Sequence, residues 1–104
     1  MNPSIQLTKK ILGVEKLTND AVEKIMQQLF KSEIKEYGVT FSWEKKTVLA
    51  FHATLVNGTI KIMKNQIKIE VYLSFFLLPV KKILAERLEK EIDRAIPKLN
   101  KELS

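Results

Sequence analysis

Residues 66–95 have the sequence QIKIEVYLSFFLLPVKKILAERLEKEIDRA, and this stretch decides the fold. Its opening residues alternate between apolar and polar side chains, which is the pattern of a β-strand with one buried face. A nearly unbroken apolar run, Phe75–Val80, follows and leads into a helix with charges opposite an apolar stripe. The stretch therefore predicts a half-buried strand, an apolar junction and an amphipathic helix.

Upstream, a strand and a helix are predicted. Ile5 and Leu7 alternate with polar residues, which indicates a short first strand. A helix is expected from near Thr18 until Gly38, because glycine adopts the left-handed conformation that ends a helix at little cost. Asp20 and Glu23 have the spacing of a capping box at its start. The apolar face of this helix should contain Ala21, Val22, Ile25, Met26, Leu29 and Phe30.

Three strands are predicted between this helix and residue 66. Alternation marks Val39–Trp43, the β-rich segment Thr47–Leu55, and Ile60–Ile62. Asn57-Gly58 is the strongest hairpin dipeptide in the chain, although an earlier bend near Thr54 is the alternative. Strands joined by such short turns are expected to form an antiparallel meander.

The complete order is β-α-β-β-β-β-α, which predicts an α+β fold. We expect an antiparallel sheet with two helices packed on one face, in two layers. The last helix should begin near Pro79 and end at about Ile96, because Pro97 follows. The whole chain, residues 1–104, is predicted to be a single domain with an ordered core from about 4 to 97 and a frayed tail at 98–104.

Composition narrows the class of protein. The chain has 104 residues, no cysteine and a formal charge of +6, with 18 lysines and arginines against 12 acidic residues. Disulfides and thiolate metal sites are excluded. The N-terminus lacks the pattern of a secretory signal, and no apolar run approaches the length of a transmembrane helix. We therefore expect a basic, cytoplasmic protein without a transmembrane segment.

Catalytic equipment is not recognisable in the sequence. His52 is the single histidine, and it is predicted to lie on the outward side of its strand. The sequence contains no nucleophile elbow, phosphate-binding glycine loop or paired helix histidines. We therefore expect no enzymatic activity, no metal and no cofactor. Nucleic acid is not an expected partner, because the lysines form no cluster and the strand aromatics are in phase with the core.

The apolar junction is the most informative anomaly, because a strand-to-helix connection normally contains polar turn residues. One interpretation is that alternate side chains complete the strand or close the end of the core. The other is an exposed apolar surface with a lysine rim, which would mark a protein, lipid or polymer contact. The candidate interaction residues are Phe75, Phe76, Leu77, Leu78, Val80, Lys81, Lys82 and Ile83.

Three segments, Tyr37–Trp43, Gly58–Ile62 and Ile67–Leu78, followed by a charged helix, resemble the polyhydroxyalkanoic acid system family, also called the polyhydroxyalkanoate granule-region proteins. The likeness extends from about Ile5 to Ile96. At the strand-to-helix junction this chain has Ser74, whereas we associate a glycine with that position in the family. The resemblance implies a small bacterial protein tied to polyester storage, with a role in granule structure or synthesis, and it assigns a role to no individual residue.

These observations predict a non-enzymatic accessory protein. Its apolar junction is expected to contact a polyester granule surface, a lipid or a protein partner, in the cytoplasm or on granules. The first alternative is a small hydrophobic-ligand-binding protein with a pocket between sheet and helices. The second is a module that associates with itself as a homo-oligomer.

Overall fold

The computed structural model describes residues 4–103, and side chains within that range except those of residues 29, 32 and 33. The prediction that Leu29 lies on the apolar face of the helix concerns a side chain outside the described ones. The elements are β1 (Ser4–Lys10), α1 (Asn19–Leu29), α2 (Lys31–Tyr37), β2 (Thr40–Lys45), β3 (Val48–His52), β4 (Val56–Met63), β5 (Gln66–Leu73) and α3 (Lys81–Leu103), with 3-10 turns at Val14–Lys16 and Phe75–Val80.

The five strands form one antiparallel sheet in the order β1-β5-β4-β3-β2. The meander β2 to β5 is the predicted one, and β1 adds to it beside β5. One cross-strand row on the inner face consists of Leu7, Ile69, Ile60, Leu49 and Trp43. Because successive strand residues point to opposite faces, this register places the apolar half of every strand on one side.

The helices cover that inner face, which confirms the predicted α+β class. The core combines strand residues with helix residues that are almost fully buried, namely Val22, Ile25, Met26, Ile92, Ala95 and Leu99 from the helices and Ile5, Leu49, Ile60, Ile67, Ile69 and Val71 from the strands. Burial of one sheet face against helices removes the largest apolar area from water that this pattern allows.

The first helix begins where it is predicted, but its capping interaction and its middle differ from the prediction. Thr18 is the N-cap, and its hydroxyl accepts a hydrogen bond of 3.1 Å from the amide of Ala21. The capping box predicted from Asp20 is therefore wrong. The helix also breaks at Phe30, which separates α1 from α2 although no proline or glycine marks the break. Gly38 ends α2 with a left-handed φ of 66°, as predicted.

The connection between β3 and β4 follows the earlier bend and not the Asn57-Gly58 hairpin. The chain reverses at residues 53–56, where the amide of Ala53 donates to the carbonyl of Val56 at 2.8 Å. Gly58 lies inside β4 and pairs with both neighbouring strands. The hairpin predicted at Asn57-Gly58 is therefore wrong. Gly58 is instead a strand residue that lets Phe51 and the backbone of β5 come close.

The predicted end of the last helix at Ile96 is wrong. α3 continues through Pro97 to Leu103, and Leu99 is only 1% exposed. Proline removes one helix hydrogen bond, which costs about 3 kcal/mol in a helix interior. Pro97 lies on the exposed side of α3, as does Asp93, whose backbone carbonyl loses its helix hydrogen bond to residue 97. Burial of Leu99 and packing of Leu103 against the core offset the cost.

Lys9 joins β1 to α3 from the inner face of the strand. Its ammonium group lies 3.0 Å from Oδ1 of Asp93 and 3.1 Å from Oε1 of Glu89. The hydrogen bond to Asp93, followed by that to Glu89, raises the pKa of Lys9 above its ordinary value. A lysine is tolerated at this inward position because two carboxylates of α3 lie above it.

Replacing Lys9 should therefore weaken the fold in a pH-dependent way. Lys9→Met is expected to lower the free energy of unfolding by about 1 kcal/mol or less at neutral pH. The folded state binds this proton more tightly than the unfolded chain, so the stabilisation is present below pH 10.5 and is lost as pH rises through the higher folded pKa. Urea unfolding at several pH values measures it. The neighbouring exposed Lys10→Met is the control, and an equal effect from both variants would contradict the assignment.

Candidate functional site: an apolar groove and an exposed junction

An open groove with a volume of about 300 Å³ lies between the inner face of the sheet and the helices. Its walls are almost entirely apolar. The sheet contributes Ile5, Phe41, Phe51, Val56, Ile60, Ile69, Val71 and Leu73, α3 contributes Leu84, Leu88 and Ile92, and Phe30 contributes from the break between α1 and α2. The groove is therefore a gap in the core and not a polar cleft.

The groove lies where the inner face of the sheet is only partly covered. α3 comes close to β1, and the 3-10 turn at Val14–Lys16 comes close to β4 and β5. On the β2–β3 side, the inward aromatics Phe41, Trp43 and Phe51 are only half-buried. The rings of Phe41 and Phe51 lie 6.5 Å apart at an interplanar angle of 57° and form part of the groove wall.

Gly58 sets the position of this wall. A Cβ atom at residue 58 would lie 2.3 Å from Cζ of Phe51 and 2.4 Å from the carbonyl oxygen of Glu70. The ring of Phe51 thus lies across the glycine of the neighbouring strand, in space that any side chain would take. Without this close approach, Phe51 would have to move into the groove.

Polar side chains occur at the mouth of the groove. Tyr37 is 56% exposed, and Thr54 and Arg87 are also exposed. Glu91 lines the groove with Arg87, and its Oε1 accepts a hydrogen bond of 3.3 Å from Nη1 of Arg94. Polarity therefore increases from the interior of the groove towards solvent.

The Phe75–Val80 junction forms a 3-10 turn that exposes its aromatic side chains. Phe75 is 78% exposed and Phe76 is 86% exposed. Ser74 caps the turn, since its hydroxyl accepts a hydrogen bond of 3.2 Å from the amide of Phe76. Ser74 has an extended backbone, with φ −66° and ψ 159°, so this position does not require glycine. The departure from the family pattern leaves the junction well formed.

The other candidate interaction residues divide between surface and groove. Ile83 is 64% exposed and Val80 38% exposed, and Lys82 is exposed beside them. Leu77 and Leu78 are half-buried, and Leu77 packs against the core and lines the groove. Lys81 is half-buried and already interacts with another group of the protein. Within the junction, the predicted core-closing role applies to Leu77, whereas the two phenylalanines point to solvent.

The junction and the groove share an edge. The amide of Ser74 donates to the carbonyl of Leu55 at 3.0 Å, which holds the β3–β4 turn against the junction. Leu55 lines the groove and is 42% exposed. An apolar surface therefore continues from the exposed phenylalanines, past Leu55 and Leu77, into the groove.

The outer face of the sheet is polar. His52 is exposed, as predicted, and its Nδ1 lies 3.4 Å from Oδ1 of Asn57. The Tyr72 hydroxyl donates to Glu70 at 2.6 Å, which lowers the pKa of Glu70 and raises that of Tyr72. The ammonium groups of Lys61 and Lys68 lie 3.8 Å and 3.4 Å from Oε1 of Glu70 and form ion pairs with this carboxylate. Among the side chains that the structure describes, no three His, Asp or Glu residues converge in a way that could hold a metal ion.

Sequence patterns indicated the residues of the junction, whereas a pocket between sheet and helices was an alternative without assigned lining residues. Strand and helix periodicity marks Phe41, Phe51 and Leu84 as inward, and inward residues are ordinarily taken as filled core. The available signal was Gly58 opposite an aromatic strand, because a glycine inside a strand indicates close approach of another group. Beside Asn57, the same glycine also matches a hairpin turn, which is the role that the sequence pattern favours.

Comparison with known proteins gives one match. No curated protein and no solved structure matches the chain. In the described part of the chain, no helix is both long enough and apolar enough to cross a membrane. A family model described as "Putative polyhydroxyalkanoic acid system protein" matches residues 14–96, which is most of the sequence. The resemblance inferred from the strand and junction segments is thereby confirmed, and the chain belongs to this polyhydroxyalkanoic acid system family.

Proposed function

We propose that this protein is a non-enzymatic accessory of the polyhydroxyalkanoic acid system that contacts a hydrophobic surface through its Phe75–Val80 junction and Ile83. The exposure of Phe75 and Phe76, at 78% and 86%, carries the proposal. Adjacent exposed aromatic side chains on a capped turn are a costly surface unless something covers them. The family description supplies the setting, since a polyester of hydroxyalkanoic acids presents an apolar surface to water.

The expected strength of this contact follows from the buried area. Full burial of a phenylalanine or isoleucine side chain gains about 1.5–3 kcal/mol, so Phe75, Phe76 and Ile83 together gain about 5–9 kcal/mol before association costs. A single molecule would therefore bind weakly and reversibly. Lys82 lies beside Ile83 and adds attraction where the surface is anionic.

Phe76→Glu is expected to reduce co-sedimentation with polyhydroxyalkanoate granules by about tenfold, because a charge at the contact must be desolvated. The fold should be unaffected, since Phe76 is 86% exposed. Co-sedimentation at low and high salt, with circular dichroism of each variant, measures both properties. Retained binding by the folded variant would contradict the proposal.

Leu12→Glu is the matched control. Leu12 is 68% exposed and lies near Asn65, at the opposite end of β5 from the junction, so its replacement should leave binding unchanged. An apolar contact survives high salt, whereas a contact made by lysines alone is lost. Light scattering without granules measures whether the protein associates with itself. Self-association that is abolished by Phe76→Glu would show that the junction binds a second copy instead of a granule.

The groove favours a second candidate function, the binding of a small apolar ligand between sheet and helices. Its volume of about 300 Å³ reaches the range of pockets that bind small molecules. Its apolar walls and few polar groups at the mouth are the usual composition of such pockets. Native mass spectrometry of protein purified from its host would detect a retained ligand directly.

A further inference from the structure

We infer that the free edge of β2 binds a second copy of this chain, with the two β2 strands antiparallel about a twofold axis at Ser42. The two five-stranded sheets then form one continuous sheet. This inference is independent of the proposed contact with a hydrophobic surface, because β2 lies three strands away from β5, which leads into the junction.

The two edges of the sheet are β1 and β2, and β1 is protected against the addition of another strand. It carries Lys9 on its inner face, where the ammonium group is held by Glu89 and Asp93 of α3. An inward-pointing charge is one of the features by which edge strands avoid pairing with another chain. A strand added to β1 would have to pack beside this charged group.

β2 has no such protection over residues 40–43. This segment contains no proline, glycine or charged residue, and the shift in register with β3 comes after Trp43. In the part of the chain that the structure describes, the backbone of β2 bonds to β3 and to no other segment. Alternate residues of an edge strand direct their N–H and C=O groups to solvent, and a further strand pairs with these groups.

The side chains of β2 match those of an antiparallel copy. Phe41 and Trp43 lie on the inner face and are only half-buried, whereas Leu49, opposite Trp43 in β3, is fully buried. With the axis at Ser42, Phe41 of each copy lies opposite Trp43 of the other. Among the registers that keep both inner faces on one side of the sheet, only this one pairs the two aromatic residues. Such cross-strand aromatic pairs stabilise antiparallel strands.

The small overlap predicts a weak and reversible dimer. Five residues of each copy, 40–44, lie opposite one another, and they form about four to six backbone hydrogen bonds because every second pair exchanges two. Stable interfaces contain about 20–30 residues a side, and smaller ones are typical of transient association. We therefore expect a dissociation constant of about 10–100 μM.

Pairing also extends the wall of the groove. Phe41 lines the groove from β2, at the edge of the sheet. In the dimer, Trp43 of the second copy becomes its cross-strand neighbour on the inner face, with Cβ atoms about 5 Å apart. The dimer thus places an aromatic side chain next to Phe41 where the single chain has solvent.

Sedimentation velocity of the full chain between about 1 and 300 μM measures the association. We expect the average mass to rise from that of a monomer towards that of a dimer. Trp43 is the only tryptophan, so its fluorescence reports on β2 directly. Its emission should move to shorter wavelength over the same range, because pairing removes water from the ring. A monomer at every concentration would overturn the inference and leave this edge to a strand of another protein.

Charges introduced at Ser42 test the position of the axis. Ser42 is exposed on the outer face of β2, and on the axis it lies opposite itself. Ser42→Lys and Ser42→Glu should each weaken the dimer by about fivefold at low salt, because like charges directly opposite are destabilising. An equimolar mixture of the two variants should restore at least the original affinity, since the introduced charges then have opposite sign. A mixture no stronger than either variant alone would overturn the axis at Ser42.

Gln6→Lys is the matched control. Gln6 is exposed on the outer face of β1, so this variant adds the same charge at the other edge and should leave the dissociation constant within about twofold. Circular dichroism shows whether each variant keeps the fold. Phe76→Glu should also leave the dimer unchanged. If it abolishes self-association while the Ser42 variants retain it, the second copy binds at the junction and the assignment to β2 is wrong.

Discussion

Gly58→Ala is expected to destabilise the protein by about 3 kcal/mol, a large effect for the addition of one methyl group. The added Cβ would lie 2.3 Å from the ring of Phe51 and 2.4 Å from the carbonyl oxygen of Glu70. The ring can rotate into the groove, but the carbonyl belongs to the backbone of β5 and is fixed by strand pairing. Relief of this clash therefore requires β4 and β5 to separate locally. Urea unfolding monitored by circular dichroism measures the loss.

Gly38→Ala provides the matched control. Gly38 has a left-handed φ of 66°, but no atom lies within 4 Å of the position that a Cβ would take. Its replacement should cost about 1 kcal/mol, from backbone strain alone. Similar losses in the two variants would mean that the close approach of Phe51 and Glu70 to Gly58 is relieved without cost, and the account of the groove wall would be wrong.

Leu99→Ala should cost about 2–5 kcal/mol, because it removes a fully buried side chain beyond Pro97. Leu99 is 1% exposed and belongs to the same core as the strand residues. The expected loss has the size of a central core substitution, although the residue lies five positions from the end of the chain. The free energy of unfolding in urea is again the measurement.

Lys98→Ala is the control for Leu99, since Lys98 is the exposed neighbour in the same helical turn. It should change stability by no more than about 0.5 kcal/mol. A frayed C-terminal segment, as the sequence predicts, would instead make both substitutions equally harmless. The pair therefore distinguishes a helix that ends at Pro97 from one that continues through it.

The junction, a candidate site, was partly predictable from the sequence. The run Phe75–Val80 lacks polar turn residues, and this absence alone identified it as anomalous. Whether its side chains were core or surface depended on the turn that the backbone takes after Leu73. The 3-10 turn capped by Ser74 directs Phe75 and Phe76 to solvent and Leu77 to the core.

The sequence by itself determined the fold class, because residue periodicity is a local property. Alternation in Ile67–Leu73 and the helical stripe of Leu84, Leu88 and Ile92 specify which face of each element is buried. The order of elements and the end of α2 at Gly38 follow from the same local rules. These features hold whichever strands are neighbours.

Only the tertiary structure decided the features that depend on long-range packing. Gly58 belongs to a strand and not to a turn because Phe51 and Glu70, on neighbouring strands, take the space around it. α3 passes through Pro97 because burial of Leu99 offsets the lost hydrogen bond. The groove arises because the contacts of α3 with β1 and of the 3-10 turn at Val14–Lys16 with β4 and β5 leave Phe41 and Phe51 only half-buried. Each outcome depends on the free energy of contacts between distant residues, which local sequence patterns do not contain.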